Sequence, residues 1–444
     1  MSKPDKPLSL LTGVAPLPPI ETTSESRIYS ADLKKIRSQF PALDGTTIYL
    51  ENAGGSQVPR CVAESIADYM LNNYVQLGAG YEISKISTNT VDLAHAWMNR
   101  FVNGENAGSI ILGSSTTALC RILAECYAPI LKPGDEIILA QTAHEANYGP
   151  WKNMAERINL TIRIWPVNPE TQSCELADLD HLLNHKTRLI AFPLVSNLLG
   201  EIVDVKEITR RAHAVGAEVV VDGVAYAPHR AVNVRDWNVD WFAFSNYKVY
   251  GPHIATLFGK HEAIEKLTGP NHFFIPPNEI PYKFEPGGVS HESCAGLLAL
   301  REYLEFVGSL DGSSVSERDE NDLPSYETIT RAFDLMTECE LPVQQKLIKY
   351  LKDQPDVTII GPNHADSSRV PTISFTHETK SAIEIVDFVD RNSTIGIRFG
   401  HMYAYHLCKA LNIDLEAGVT RVSATHYNTT DEIDQLITCL DRIL

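Results

Sequence analysis

A lysine that follows a short apolar run is the most reactive group this sequence offers. Lys248 lies three residues after the run WFAFS, which has the character of a buried strand. Burying an ammonium is costly unless its charge is paired or removed, and conversion of the amine to a Schiff base removes it. An isolated lysine in such a position more often extends its amine to solvent. The interpretation therefore depends on the polar residues that accompany Lys248.

Other polar side chains stand at the ends of predicted strands. They are Ser115 and Thr116 after GSIILG, Asn197 after LIAFPLVS, Asp222 at the end of EVVVD and Ser245 at the end of WFAFS. Ligands of open α/β sheets bind outside the carboxyl ends of the strands, so these residues could build one site. The segment GSSTTAL lies between a strand and a helical run, where backbone N–H groups and the helix dipole can hold a phosphate. Alone, it would be read simply as a good helix N-cap.

The elements that must position these residues alternate along the chain. Short apolar runs alternate with helical patterns between about residues 60 and 300, which predicts a mostly parallel sheet flanked by helices. After an acidic, turn-rich stretch at 309–327, the strand-like runs TISFTH and VTRVS predict a smaller α+β domain. The expected divisions are an N-terminal arm or tail at 1–29, the N-terminal part of the small domain at 30–60, a large domain at 61–304 and the C-terminal small domain at 305–444.

Composition narrows the class of partner. A formal net charge of −18 over 444 residues argues against a nucleic-acid or anionic-membrane partner and favours a small-molecule substrate. Eight cysteines without C-x-x-C spacing indicate free thiols and predict neither a disulfide framework nor a metal site. No apolar run approaches a membrane span, and the N-terminus lacks a signal-peptide core, so we expect a cytoplasmic protein.

The segments VVVDGVAYAPH and WFAFSNYKVYGPH carry a family resemblance. With Asp222 and Lys248 separated by 26 positions, the chain resembles, from about Thr47 to Asn428, the class V aminotransferase family. This family of fold type I enzymes binds pyridoxal 5′-phosphate (PLP) and includes cysteine desulfurases, isopenicillin N epimerase and kynureninase. The resemblance implies an α/β fold, with a large PLP-binding domain and a smaller α+β domain, and a homodimer.

The resemblance also implies roles at the cofactor ring. Lys248 would carry PLP as an internal aldimine and, once freed by substrate, move protons at the substrate α-carbon. Asp222 would keep the pyridine nitrogen protonated, so that the ring can accept electrons. His144, in TAHEANYGPW, matches the residue that stacks on the ring, and Asn197 matches the residue that hydrogen-bonds the ring hydroxyl.

Phosphate and substrate contacts follow from the same resemblance. Ser115, Thr116, Ser245 and Tyr247 would hold the cofactor phosphate, although the family often has a histidine where this chain has Tyr247. Substrate contacts are expected from Arg421, which would grip a carboxylate, and from Tyr403 and Asn52.

Three departures separate the chain from the desulfurases. Tyr403, in GIRFGHMYAYHLC, stands where those enzymes carry the cysteine that takes sulfur as a persulfide, and Cys408 could replace it only by a shift in register. Ala225 stands in place of a glutamine near the cofactor hydroxyl. Gly288 stands in place of a threonine that reaches the neighbouring subunit's phosphate, a contact that Ser290 could supply.

We therefore expect a PLP-dependent enzyme that acts on an amino acid through an external aldimine and a carbanion or quinonoid. Lyase, ring-forming or C–C bond-forming chemistry in specialised metabolism, as in the class V-like enzyme of the fungal loline alkaloid pathway, is favoured over persulfide-forming desulfuration. The alternatives are a cysteine desulfurase or C–S lyase, an epimerase or aminotransferase, and an inactive scaffold. A remote alternative is an acyl hydrolase, because Ser245 and Lys248 spell S-x-x-K.

Overall fold

The computed structural model describes residues 30–312 and 323–444. The arm predicted for residues 1–29 and residues 313–322 of the predicted acidic loop lie outside the described residues. Within the described ranges, no helix combines the length and apolar character needed to cross a bilayer.

Helices and strands alternate through most of the described chain. The α-helices are α1 (Ser30–Arg37), α2 (Arg60–Asn72), α3 (Glu82–Phe101), α4 (Thr116–Tyr127), α5 (Gly149–Arg157), α6 (Leu176–Leu182), α7 (Val205–Ala214), α8 (Val234–Trp237), α9 (His261–Glu265), α10 (His291–Gly308), α11 (Tyr326–Lys352), α12 (Ala382–Asn392), α13 (Tyr405–Ala410) and α14 (Thr430–Leu440). The strands are β1 (Ile48–Tyr49), β2 (Gly108–Gly113), β3 (Glu136–Ala140), β4 (Thr161–Trp165), β5 (Thr187–Pro193), β6 (Glu218–Asp222), β7 (Trp241–Ser245), β8 (Ala255–Lys260), β9 (Val357–Ile360), β10 (Thr372–His377), β11 (Ile395–Gly396), β12 (Arg398–Gly400) and β13 (Val419–Ser423).

A seven-stranded sheet forms the centre of the large unit. Its strand order is β2-β8-β7-β6-β5-β3-β4, and every neighbouring pair is parallel except those of β8, which runs antiparallel to both β2 and β7. Alternate residues of β6 enter different apolar cores, since Val219 and Val221 pack on one side of the sheet and Val220 on the other. Burial on both faces explains why these strands are unbroken apolar runs in the sequence.

A smaller α+β unit follows. Strands β12-β13-β10-β9 form an antiparallel sheet, and β1 pairs in parallel with β11. Ile373 and Val422 of this sheet pack with Leu347 of α11, Ile385 of α12 and Leu436 of α14 in a separate apolar core. The observed architecture, a mostly parallel sheet flanked by helices with a smaller α+β unit, confirms the predicted fold class. The sequence pattern did not predict β8.

The segment after β1 joins the two sheets. The Asn52 N–H donates to the Ser423 carbonyl of β13 at 3.1 Å. Four residues later, the Ser56 hydroxyl donates to the Tyr247 carbonyl at 3.2 Å and accepts from the Tyr250 N–H at 2.9 Å. These bonds hold the turn after β7 against the smaller sheet, so that residues of both units face one cleft.

Candidate active site

The predicted site residues meet at one edge of the large sheet. Because β8 runs against both of its neighbours, β2 points in the same direction as β7, and the carboxyl ends of β2, β5, β6 and β7 share that edge. Two hydroxyls distant in sequence, Thr116 Oγ1 and Ser245 Oγ, lie 2.7 Å apart there. The charge of Lys248 also acts on the pKa of both Asp222 and His144.

The turn between β2 and α4 has donors suited to an anion, and we call Thr116, Ser245 and the α4 N-terminus the anion cradle. Ser115 is the N-cap of α4, and its hydroxyl accepts from the Ala118 N–H at 3.1 Å. The N–H groups of the first helical turn have no intrahelical acceptor, and the positive end of the helix dipole lies beside them. The paired hydroxyls of Thr116 and Ser245 add donors at the same place. Tyr247 stacks on His253, with ring centroids 4.6 Å apart, and its ring lies near Gly55 in the segment after β1.

Lys248 ends the short 3₁₀ turn that follows β7. The buried side chain of Asn246 fixes this turn, because its amide donates to the Ile254 carbonyl at 3.2 Å and to Thr256 Oγ1 at 2.8 Å. Burial, assisted by the charge of Arg421, lowers the pKa of the Lys248 amine to about 8, while Asp222 acts in the opposite direction. A substantial fraction of this amine is therefore neutral near physiological pH.

Asp222 is a buried carboxylate at the end of β6. Burial raises its pKa, whereas a hydrogen bond from the Val224 N–H, at 2.9 Å, and the charge of Lys248 lower it. A Cβ on the next residue, Gly223, would lie 2.0 Å from the Phe242 ring, so only glycine fits there. A cation placed against Asp222 would offset the cost of burying its charge.

His144 lies at the start of a 3₁₀ turn after β3. Its Nδ1 accepts from the Ala146 N–H at 3.0 Å, which leaves the ring proton on Nε2. Burial and the charges of Lys248 and Arg421 lower its pKa to about 4. The ring is thus a neutral, flat surface at physiological pH.

Arg421 and Asn197 are buried side by side, and the charge of Arg421 acts on the pKa of both Lys248 and His144. Arg421 is only 3% exposed, its Nη1 donates to the Asn197 carbonyl at 3.3 Å, and burial lowers its pKa to about 10. The Asn197 amide donates to the Met402 carbonyl at 2.8 Å. Asn197 Oδ1 and Arg421 Nε are buried and have no hydrogen-bond partner among the described residues. These two groups are free to bind a ligand.

Sequence reasoning missed a second arginine and a glutamate beside Arg421. Arg398 is opposite Arg421 in the register of β12 and β13. Glu51 Oε1 lies 3.0 Å from Arg398 Nη1 and 3.9 Å from Arg421 Nη2. The alternating pattern of GIRFG was the available signal for Arg398, but it gave no indication of Glu51.

Tyr403 lies on a turn with unusual backbone geometry. Met402 and Tyr403 both have left-handed conformations, with φ of 46° and 61°, and the turn is closed by a bond from the Ala404 N–H to the His401 carbonyl at 2.7 Å. Such conformations are costly for residues with a Cβ and are often retained at functional sites. The Tyr403 side chain is 64% exposed, and its ring centroid lies 5.2 Å from that of His144. The turn thus presents a phenol at the mouth of the cleft.

Asn52 lines the cleft, but the polar atoms of its side chain are hydrogen-bonded to other residues of the protein. Its amide donates to the carbonyls of Tyr49 and Ser423, both at 2.9 Å, and its Oδ1 accepts from the Tyr427 hydroxyl at 2.5 Å. This geometry gives the Asn52 side chain a clear part in holding the end of β1 against β13.

The other two positions that depart from the desulfurase pattern, Ala225 and Gly288, lie in different parts of the structure. Ala225 lines the cleft beside Lys248. Gly288 has a φ of 84°, and the Ser290 hydroxyl caps α10 by accepting from the Ser293 N–H at 3.3 Å and donating to Ser293 Oγ at 2.7 Å. The Ser290 hydroxyl is thus engaged at a helix end.

No cysteine of the chain is set up as a nucleophile. All eight lie in the described ranges, and burial raises the thiol pKa of each. Cys408 is fully buried on α13, against Leu407, Leu198 and Val419, and its pKa is raised to about 11. A reactive thiol needs a lowered pKa and access to its substrate. Cys408 has neither.

Comparison with known proteins identifies relatives over nearly the whole chain. The family model described as aminotransferase class V matches residues 48–436. The aminotransferase-like protein FGM3 of Gibberella zeae is 38% identical over 422 residues, which are 94% of this chain and 99% of that protein. The nonribosomal peptide synthetase-like enzyme fsqF of Aspergillus fumigatus is 32% identical over 420 residues, covering 92% of this chain but 26% of that larger protein.

Among solved structures, the apo cysteine desulfurase of Thermococcus onnurineus superposes with a TM-score of 0.79. It covers 92% of this chain and 97% of its own, at 23% sequence identity. At this identity the likeness shows a shared fold.

Proposed function

The chain belongs to the class V aminotransferase family, as its motifs predicted, and on that premise we propose that it uses PLP to break a bond at the α-carbon of an amino acid. The family depends on this cofactor. We propose that the reaction then continues by elimination of a leaving group or by formation of a C–C bond or ring, without a protein persulfide. The observation that carries this proposal is the set of Lys248, Asp222 and His144 in a cleft where no activated thiol is found among the eight cysteines.

The residues present fit the cofactor. The anion cradle of Thr116, Ser245 and the α4 N-terminus suits a phosphate. Burial disfavours the charged form of Asp222, and a protonated pyridine nitrogen beside it would stabilise the carboxylate. The unpartnered Asn197 Oδ1 suits the ring hydroxyl, which can donate to it. We propose that Ser115 and Tyr247 complete the phosphate contacts.

The cofactor, when bound, withdraws electrons from the bonds of the attached amino acid, so that one of them can break. Lys248 would bind the cofactor covalently and then, as a neutral amine with a pKa of about 8, accept or return the proton at the α-carbon. Asp222 would hold the pyridine proton. His144, neutral because its pKa is about 4, would cover the ring without adding positive charge beside the pyridine.

Substrate would enter past Tyr403 and place its carboxylate against Arg421. The unpartnered Nε of Arg421 supports this placement, since it leaves a donor for a planar, two-pronged contact. The exposed phenol of Tyr403 would contact the part of the substrate beyond the α-carbon. Asn52 would act at the substrate through the backbone that it anchors, since its side chain is bonded elsewhere.

The buried thiols argue against persulfide chemistry, because sulfur transfer needs an accessible thiolate where this chain has Tyr403. Direct C–S cleavage stays within the proposal as one form of elimination. The S-x-x-K alternative finds little support, since the Ser245 hydroxyl pairs with Thr116 and the motif follows a strand. The name of one relative, the nonribosomal peptide synthetase-like enzyme of Aspergillus fumigatus, supports a place in specialised metabolism.

We also propose a homodimer. Phe273 is 99% exposed, and Phe274, Leu71 and Tyr74 are also largely exposed in the single chain. Contiguous apolar groups at a surface mark contact sites, and the neighbouring rings of Phe273 and Phe274, with centroids 5.5 Å apart, form such a pair. A second copy of the chain is the partner that the family resemblance implies.

The test is an absorption spectrum of purified wild type and Lys248→Ala, each with and without added PLP. Wild type is expected to show a visible band that borohydride abolishes, and Lys248→Ala to lack it. A scan of amino acids with product analysis would then separate elimination, ring formation, epimerisation and transamination. If wild type saturated with PLP shows no such band, the proposal fails. A persulfide on any cysteine after turnover would overturn the exclusion of sulfur transfer.

A further inference from the structure

A second cavity lies outside the mouth of the active site. This outer cleft has a volume of about 390 Å³, and its walls include Glu145, Lys152, His401, Tyr403, Tyr405 and His406. Tyr403 links it to the active site, because its ring also lies beside His144. The outer cleft is therefore positioned to hold a part of a molecule whose other end reaches the cofactor site.

Aromatic rings at right angles form its walls. His401 is perpendicular to both tyrosines, with interplanar angles of 86° to Tyr403 and 85° to Tyr405. Tyr405 in turn stands at 86° to His406, which stacks on Tyr148 at 3.9 Å. Tyr403 and Tyr405 are both exposed, so their rings are accessible to a ligand. Tyrosine rings arranged as walls attract cations through their negative faces.

The charges of the outer cleft favour the same class of ligand. Glu145 Oε2 has His406 Nε2 as its ion-pair partner at 3.5 Å, and burial lowers the pKa of His406, which leaves that ring uncharged at neutral pH. The ammonium of Lys152 is paired with Glu156 at 2.7 Å. Among the lining residues that the structure describes, Glu145 is thus a carboxylate with no lysine as its ion-pair partner, and the charges of Lys152 and Lys409 also reach the neighbouring His406.

We propose that the outer cleft binds a cationic, amine-bearing group through the faces of Tyr403 and Tyr405 and the carboxylate of Glu145. On the proposed function, on which this identification rests, the cation belongs to a substrate side chain or to a second reactant that joins the amino acid. An anionic or neutral apolar group would gain nothing from Glu145. The enzyme would therefore select for a positively charged reaction partner.

Three probes of similar size test the sign of the charge. Choline ends in a trimethylammonium group, whereas neutral 3,3-dimethyl-1-butanol and anionic 3,3-dimethylbutanoate end in the uncharged tert-butyl group of the same shape. None has a primary amine that could condense with the cofactor. Binding to the holoenzyme is measured by ligand-observed NMR titration. Choline is expected to bind more tightly than both isosteres. If the uncharged alcohol matches choline, or if choline does not bind, the proposal is overturned. Tight binding of the butanoate overturns it if Tyr405→Leu weakens that binding, since a carboxylate bound at Arg421 instead would not respond to this change.

Variants then locate the binding. Tyr405→Leu is expected to weaken the binding of choline by about 2- to 30-fold and to leave the binding of the alcohol nearly unchanged, since only the cation–π attraction is lost. Tyr405→Phe, the matched control, keeps the ring and should keep choline binding. Glu145→Gln should also weaken the binding of choline. Equal losses for choline and the alcohol in Tyr405→Leu would refute the proposal. The cofactor band, recorded on the same samples, reports separately whether the proposed function stands.

Discussion

The pKa of Lys248 is the property on which the proposed chemistry most depends, and it can be measured directly. With a pKa of about 8, roughly a quarter of the amine is neutral at pH 7.5, whereas an ordinary value of 10.5 would leave about one part in a thousand. The buried setting thus raises the reactive fraction by roughly 200-fold. Covalent attachment of PLP to the apoprotein should become faster as the pH rises through about 8 and then level off.

Arg421→Gln removes a positive charge that lowers the pKa of Lys248. We expect the pH midpoint of the attachment rate to move upward by about one pH unit only, because burial remains the larger cause of the lowered Lys248 pKa. At pH 7.5 the attachment rate should then fall by roughly eightfold, and above pH 10 it should match wild type. Arg398→Gln is the matched control, since it removes a neighbouring arginine whose charge is not among the causes of the Lys248 shift.

Stopped-flow absorbance between pH 6.5 and 10.5, with each protein normalised to its own plateau, gives the midpoints. A wild-type midpoint near 10.5 would show that the amine is not desolvated in solution. Equal shifts in both arginine variants would show that the effect of Arg421 is not specific. Either result would refute the electrostatic reasoning.

Three further outcomes are expected. Asp222→Asn should retain the cofactor but lose at least about tenfold in kcat, because the charged hydrogen bond to the pyridine nitrogen, which helps the ring to accept electrons, is lost. Turnover and the visible band, measured together, check this. His144→Phe should keep cofactor affinity within a few-fold of wild type, whereas His144→Ala should not. Titration of the His144 ring should not change cofactor affinity between pH 5 and 8, since the ring is neutral above about pH 4. Fluorescence titration of the cofactor measures both effects. Cys408→Ala should leave turnover unchanged and lower the free energy of unfolding by about 1 kcal/mol, which urea denaturation would measure. A loss of turnover in a stably folded variant would contradict the structural role of this thiol.

The sequence alone determined the large sheet and most of the residues at its edge. Strands buried on both faces must be continuous apolar runs, and the residues that end them must meet when the strands are parallel. The positions of Thr116, Ser245, Asp222 and Lys248 follow from that rule, and the Asp222 and Lys248 motifs identified the family. Strand β8 was missed because the prediction rested on apolar runs that alternate with helices, whereas β8 follows β7 without an α-helix between them.

Only the tertiary structure decided the outer half of the cleft. Glu51 and Arg398 are 347 positions apart in the chain, and their contact depends on where the segment after β1 crosses the smaller sheet. Cys408 is buried because α13 turns that face toward Leu198 and Val419, whereas the left-handed turn before it exposes Tyr403. Contacts of this kind arise from packing between distant elements, and local periodicity carries no information about them. Most residues of the candidate active site are therefore encoded by local sequence patterns, whereas the outer part of the cleft is decided by the assembled fold.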